Sequence, residues 1–160
     1  VTLPLVLAPN AELVAVAYLR GILTPYGVGV GTTLPGPSEA TGVLSWGGPA
    51  GGFITVGSIT GSVNSDVPVR TSMVSLDAYA TRPGGNKPPW GHAFAIAETV
   101  IRAVYDTATH ETQLPVTLPA GYPAARVSGF VALGEPSRRL SDPANYARVG
   151  FDVAISWHPL

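Results

Sequence analysis

An α+β domain, with a mostly antiparallel sheet of four to five strands and two helices packed on one face, is the architecture this sequence predicts. Three observations lead to it. Two segments, near 10–20 and 90–106, carry apolar residues at helical spacing. Several short runs alternate apolar and polar residues, most clearly from Arg148 to Trp157. Between them fall most of the 19 glycines and 16 prolines, which break regular structure into short pieces. A chain of 160 residues suits one domain with its own core, here 1–160.

Asn10 can cap a helix that runs to about Arg20 and stops at Gly21. Leu13, Val14, Val16, Ala17 and Leu19 leave only a narrow polar stripe through Glu12 and Arg20. A helix this apolar is expected to be covered on more than one side. "YGVGVGTTLP" follows as a short strand or extended piece. Its glycines do not match G-x-G-x-x-G, and they follow a helix, so no nucleotide site is expected there.

Residues 35–52, "PGPSEATGVLSWGGPAGG", read as a long loop. Trp46 inside it is either an exposed interface anchor or a side chain folded back onto the core. "FITVGSIT" at 53–60 reads as a strand, "GSVNSDVP" as a turn and "VRTSMVSLDAYA" at 69–80 as a longer strand. In the last, Val74, Leu76, Ala78 and Ala80 share one face, and Met73, Ser75, Asp77 and Tyr79 the other.

The second helix is expected from Trp90 to Asp106. Phe94, Ala97, Val100, Ile101 and Val104 form its apolar stripe. Glu98, Arg102 and Asp106 stand on the opposite face as solvated partners four residues apart. Residues 107–123 are a second long loop, rich in Thr and Pro. "AARVSGFVAL" is a strand with Val127, Val131 and Leu133 on one face, and "GEPSRRLSDPANY" is a long turn. The final strand sets Val149, Phe151, Val153, Ile155 and Trp157 against Arg148, Gly150, Asp152, Ala154 and Ser156. Two helices cannot cover both faces of such a sheet. The other face must meet water or another subunit.

Charged residues make up 12% of the chain, about half the usual soluble share. That shortage favours a surface partly covered by other subunits. The net charge is −1 and Lys87 is the single lysine, so a DNA-binding surface and a basic membrane-binding helix are not expected. The apolar start lacks a basic segment and is broken by Pro4 and Pro9, so no signal peptide is read there. The chain has no cysteine, which excludes disulfides, thiolate metal sites and Cys nucleophiles.

Little suggests catalysis. His92, His110 and His158 lack metal-ligand spacing, and His92 reads as a capping or packing residue. There is no G-x-S-x-G elbow and no Walker motif. Asp77 and Asp152 lie on the less apolar faces of two strands and would approach each other if those strands pair. Such a pair is the minimum for glycosidase-like chemistry, but ten acids in 160 residues will produce one by chance. No catalytic, cofactor-binding or metal-binding residue is expected.

Four stretches together resemble a known family. They are "AELVAVAYLRGIL…GVGVGTTLP", "SDVPVRTSMVSLDAYATRPGG", "AFAIAETVIRAVYD" and "RRLSDPANYARVGFDVAISW". In order and spacing they resemble the tail terminator proteins of long-tailed (siphovirus-type) bacteriophages, in the version found in phages of actinobacteria. The loops 35–52 and 107–123 depart from that pattern by their length and their Gly and Pro content. The resemblance implies a small α+β domain that assembles as a hexameric ring in the virion neck, after synthesis in the host cytoplasm. Such a ring caps the tail tube, stops its polymerisation and offers the surface that joins the head. It implies no catalytic residue and no cofactor. The implied partners are further copies of the chain, the major tail tube protein and the head-tail connector or stopper protein. Genomic DNA would only pass through the lumen, which a near-neutral chain would not retain.

A neighbouring connector or head-completion protein of the neck is the alternative within that class. A small hydrolase or ligand-binding domain is the alternative outside it. Arg138, Arg139, Tyr146 and Arg148 gather beside a turn and are expected at an intersubunit or head-facing surface, with Trp46 as a further contact.

Overall fold

A computed structural model describes residues 9–48, 50–63, 66–105, 114–139 and 146–160. Helix α1 spans Ala11–Leu23, and the Asn10 Oδ1 accepts the Leu13 amide at 2.8 Å, closing its first turn. The helix does not stop at Gly21. It continues because Leu19 and Leu23, four residues apart, are both fully buried, and the extra turn carries Leu23 into the core. A 3-10 turn, Thr24–Tyr26, follows, and Gly27 at φ 71° supplies the left-handed exit. Arg20 reaches sideways: its Nε and Nη2 donate to the Val30 carbonyl at 3.2 and 3.1 Å, tying α1 to the next strand.

The strands are β1 (Gly29–Gly31), β2 (Phe53–Val63), β3 (Arg70–Thr81), β4 (Leu114–Val116), β5 (Ala125–Ala132), β6 (Ser137–Arg138) and β7 (Tyr146–Pro159). They form one curled sheet in the order β1-β2-β3-β7-β5-β4, with β6 also on β7. Among the described residues the sheet therefore has seven strands, not four to five. The additional ones, β4 and β6, are three and two residues long and lie inside stretches read as loop and turn. Pieces so short carry no periodicity to detect. One pair, β1 with β2, is parallel and the others are antiparallel. In β1 the two glycines make room for a ring: a Cβ on Gly29 would lie 2.7 Å from Phe53 Cδ2, and one on Gly31 3.1 Å from Phe53 Cζ.

β3 and β7 are the centre of the sheet. They pair without interruption from Arg70↔Trp157 to Thr81↔Tyr146. The alternation expected of both is present: Val74, Leu76, Ala78 and Ala80 face the core, as do Val149, Phe151, Val153, Ile155 and Trp157. Helix α2 (Trp90–Tyr105) packs on β3 and β7 through Ala93, Ile96, Ala97 and Val100. Phe94 and Ile101 are only partly buried at its margin, while Glu98 and Arg102 are exposed. Asp106 lies outside the described residues.

β5 departs from simple alternation. A bulge between Val127 and Gly129 inserts one residue and turns the strand over. Phe130 then points into the core at 2% exposure, while Val131 and Leu133, expected on the same face as Val127, are 52% and 49% exposed. Phe130 stacks on Tyr18 of α1 with ring centroids 4.9 Å apart.

Burial raises the Tyr18 phenol above its ordinary pKa of 10.0. An acid with a raised folded pKa keeps its proton more firmly folded than unfolded. Its contribution is complete below the ordinary value and declines as pH climbs past it. Tyr18→Phe is expected to weaken the loss of stability above about pH 10, read from urea midpoints across an alkaline pH series.

Candidate functional site

The polar faces of β3 and β7 lie away from the helices, and there the sequence-selected residues meet. The register sets Asp77 opposite Gly150, Tyr79 opposite Arg148 and Ser75 opposite Asp152. Asp77 is the centre. Arg148 Nη2 donates to its Oδ2 at 2.9 Å. Arg139 brings its Nε to 3.2 Å from Oδ1, an ionic contact without the alignment of a hydrogen bond. Arg139 Nη2 also lies 3.8 Å from Asp152 Oδ1 and donates to Ser75 Oγ at 3.5 Å. Among the described residues, two carboxylates and two guanidiniums thus form one charge-balanced cluster.

Asp77 is the most enclosed member, with its side chain 13% exposed against 38% for Arg139 and 32% for Arg148. The hydrogen bond to Asp77 is the main reason that the Arg148 pKa is raised, and it outweighs the opposing effect of burial. Arg148 also lies over the Tyr79 ring, 5.7 Å from its centroid.

Gly150 makes this arrangement possible. A Cβ there would lie 1.8 Å from Arg139 Nε and 2.6 Å from Asp77 Oδ1. The missing side chain is the passage through which Arg139 crosses β7. Gly150→Ala is therefore expected to cost about 1–3 kcal/mol, as other overpacking substitutions do. Denaturant titration should show a smaller penalty when Arg139→Ala is already present, since one of the two clashing partners is gone.

The other selected residues separate. Arg138, the last residue of β6, pairs with core-facing Val149 and points to the helix side, where its guanidinium stands 4.8 Å from the Trp90 ring centroid. The arginines expected on one surface are divided between two. Trp46 is 4% exposed, so it is not an exposed anchor. It packs edge-on against Tyr79 and Tyr146, and its Nε1 donates to the Pro35 carbonyl at 2.9 Å. It folds the 35–52 loop over one end of the polar sheet face. The Asp142-Pro143 turn lies outside the described residues.

Asp77 and Asp152 do share a face, as the pairing of their strands requires, but arginine occupies them. His92 is on α2, where its Nε2 hydrogen-bonds the Gly51 carbonyl, so it holds the start of β2. His158 is half-buried near the end of β7, and His110 lies outside the described residues. Among the described residues no group of His, Asp or Glu could hold a metal. No described helix is long and apolar enough to cross a membrane. A groove beside Tyr18, Arg20, Thr99, Arg102 and Val116 brings together no acid with a base among the described residues.

No protein-family model matches the chain, and no curated protein matches it. Gly150 and Ser75 are the cluster members that sequence reasoning missed. The available signal was an acid and an arginine on the polar faces of two alternating strands.

Proposed function

We propose that this chain is a phage virion structural protein, a tail terminator. Its copies form a homohexameric ring that caps the head-proximal end of the tail tube, stops tube polymerisation and joins the head. The observation that supports this reading best is where the four family-like stretches lie. They supply α1 with β1, then β3, α2 and β6 with β7, which pack against one another as a unit. The departures from the family pattern fall in the loops around that unit, 35–52 and 107–123. In this reading the chain has no catalytic residue and no cofactor. Its partners are its own copies, the tube protein and the connector or stopper protein, with DNA only passing through.

The outer parts of Arg139 and Arg148 remain accessible and serve the joint between chains, with Tyr146 beside them. Asp77 orients both arginines, and Trp46 packs against Tyr79 and Tyr146 at one end of the surface. The charge cluster itself argues against the hydrolase alternative, because guanidiniums face both oxygens of Asp77.

The test is addition of purified protein to polymerising tail tubes. A terminator shortens the length distribution and binds one tube end, and light scattering shows multiples of the chain mass. Tubes of unchanged length that still acquire the protein at the head side would point to a head-completion protein. Tubes that bind none of it would remove the neck reading altogether.

A further inference from the structure

Past Thr55, β2 runs without its neighbour. β1 pairs with it only at Phe53, Ile54 and Thr55. Among the described residues, no strand lies on its outer side from Gly57 to Val63. At the start of this arm the Ser58 amide donates to Glu12 Oε1 at 2.9 Å. At the far end of the sheet, β4 pairs with β5 only from Ala125 to Val127, and among the described residues no strand lies beside Ser128 to Ala132.

Each edge carries only part of the usual protection: both strands shift register, at Ser58/Thr60 in β2 and at Val127/Gly129 in β5, but neither has charge or Pro along the edge. Edge strands are normally blunted by charge, Pro or a covering element, because bare edges pair with other chains. "GSITGSV" and "SGFVA" contain no charged residue and no Pro. Exposed aliphatic side chains accompany both: Ile59 at 52% and Val63 at 70% on one, Val131 at 52% and Leu133 at 49% by the other.

The two edges are also level. Across the sheet, Thr60 pairs with Met73, Met73 with Ala154 and Ala154 with Val131. The next row on the same face is Ser62, Thr71, Ser156 and Gly129. Three successive antiparallel pairings make β2 and β5 run in opposite directions. Rotation about an axis roughly along the strands therefore sets β5 of one copy beside β2 of the next, antiparallel and without a slip along the strands.

We propose that these two edges pair with each other between copies of the chain, β5 to β2, as a head-to-tail interface. The proposal deepens the ring reading and rests on it. A head-to-tail contact leaves an open edge at each end until the ring closes, whereas a two-fold contact satisfies one edge and leaves the other bare. The occupant is a second copy because this chain already carries both complementary edges at the same height.

The chain has no cysteine, so introduced pairs report cleanly. In the Thr60→Cys, Val131→Cys double variant the two sites of one chain are three strand spacings apart, roughly 14 Å. That is beyond the roughly 7 Å between Cα atoms that a disulfide can bridge. Both sites are exposed, so the substitutions spare the core. Oxidised double variant is expected to give a ladder of multimers on non-reducing electrophoresis that collapses with reductant. Each single variant should stay a monomer on that gel, and a mixture of the two should give dimer only.

Dimer from Thr60→Cys alone would mean a two-fold β2 contact and would overturn the proposal. So would the absence of cross-links from both this pair and the Ser62→Cys, Gly129→Cys pair in a preparation that still forms rings and limits tail length; the terminator reading would then stand. A ladder from protein that leaves tail length unchanged would support the edge pairing and remove the terminator reading.

Discussion

Trp157→Ala is expected to cost about 3–5 kcal/mol, the range for removing a large aromatic side chain from a core. Trp157 is among the largest fully enclosed side chains and is 2% exposed. It sits where β7 meets β3 and β5 in one row, opposite Arg70 and Val127. Its loss leaves a cavity at the junction of three strands, which cannot collapse without breaking their register. Its indole N–H is buried without a hydrogen-bond partner among the described residues. A buried donor left unsatisfied costs about 1–3 kcal/mol. Trp157→Phe removes that donor while keeping much of the ring, so it should cost well under half as much as Trp157→Ala. Equilibrium denaturation of the three proteins checks both the loss and the ordering. Equal penalties for Phe and Ala would show that ring volume is not what the site requires.

Asp77→Ala is expected to be the most damaging change outside the core, at about 2 kcal/mol. Hydrogen bonds to charged groups are worth roughly 1.5–3 kcal/mol, and the partial exposure of both arginines brings the figure down. The substitution leaves Arg139 and Arg148 facing each other with Asp152 as the one described carboxylate that still pairs with either. Asp77→Asn keeps the shape but not the charge and should fall between wild type and Asp77→Ala. The salt response separates charge from packing. The gap between wild type and Asp77→Ala should narrow at 1 M salt, where screening acts over roughly 3 Å. A gap independent of salt would assign the effect to packing.

Much of the centre of the fold was legible in the sequence because it obeys period two or 3.6 without interruption. Asn10, the alternation in β3 and β7, and the apolar stripe of α2 each followed from local spacing. What escaped was set by contacts distant in sequence. Gly21 looked like a helix stop, but Leu23 had a place in the core. Val131 looked buried until a single bulged residue turned β5 over. β6 was too short to show a period, yet Arg138 at its end and Arg139 just past it go to opposite faces. The acid and the arginines of the cluster were each visible, but not that Gly150 lets one of them through. That fact requires the neighbouring strand.

The parallel strand β1 has a consequence for the order in which the molecule comes apart. It joins the sheet through three residues only, and segment 32–52 must cross back before β2 can lie beside it. The Trp46 ring, held on Tyr79 and Tyr146, is the clasp on that crossing. Local opening therefore has a natural first step: release of Trp46, loosening of the crossing and detachment of β1, while β3 and β7 stay paired. In native-state hydrogen exchange the amides of β1 should exchange with a lower opening free energy than those of β3. Trp46→Ala should lower it further without changing the slowest exchangers to the same degree.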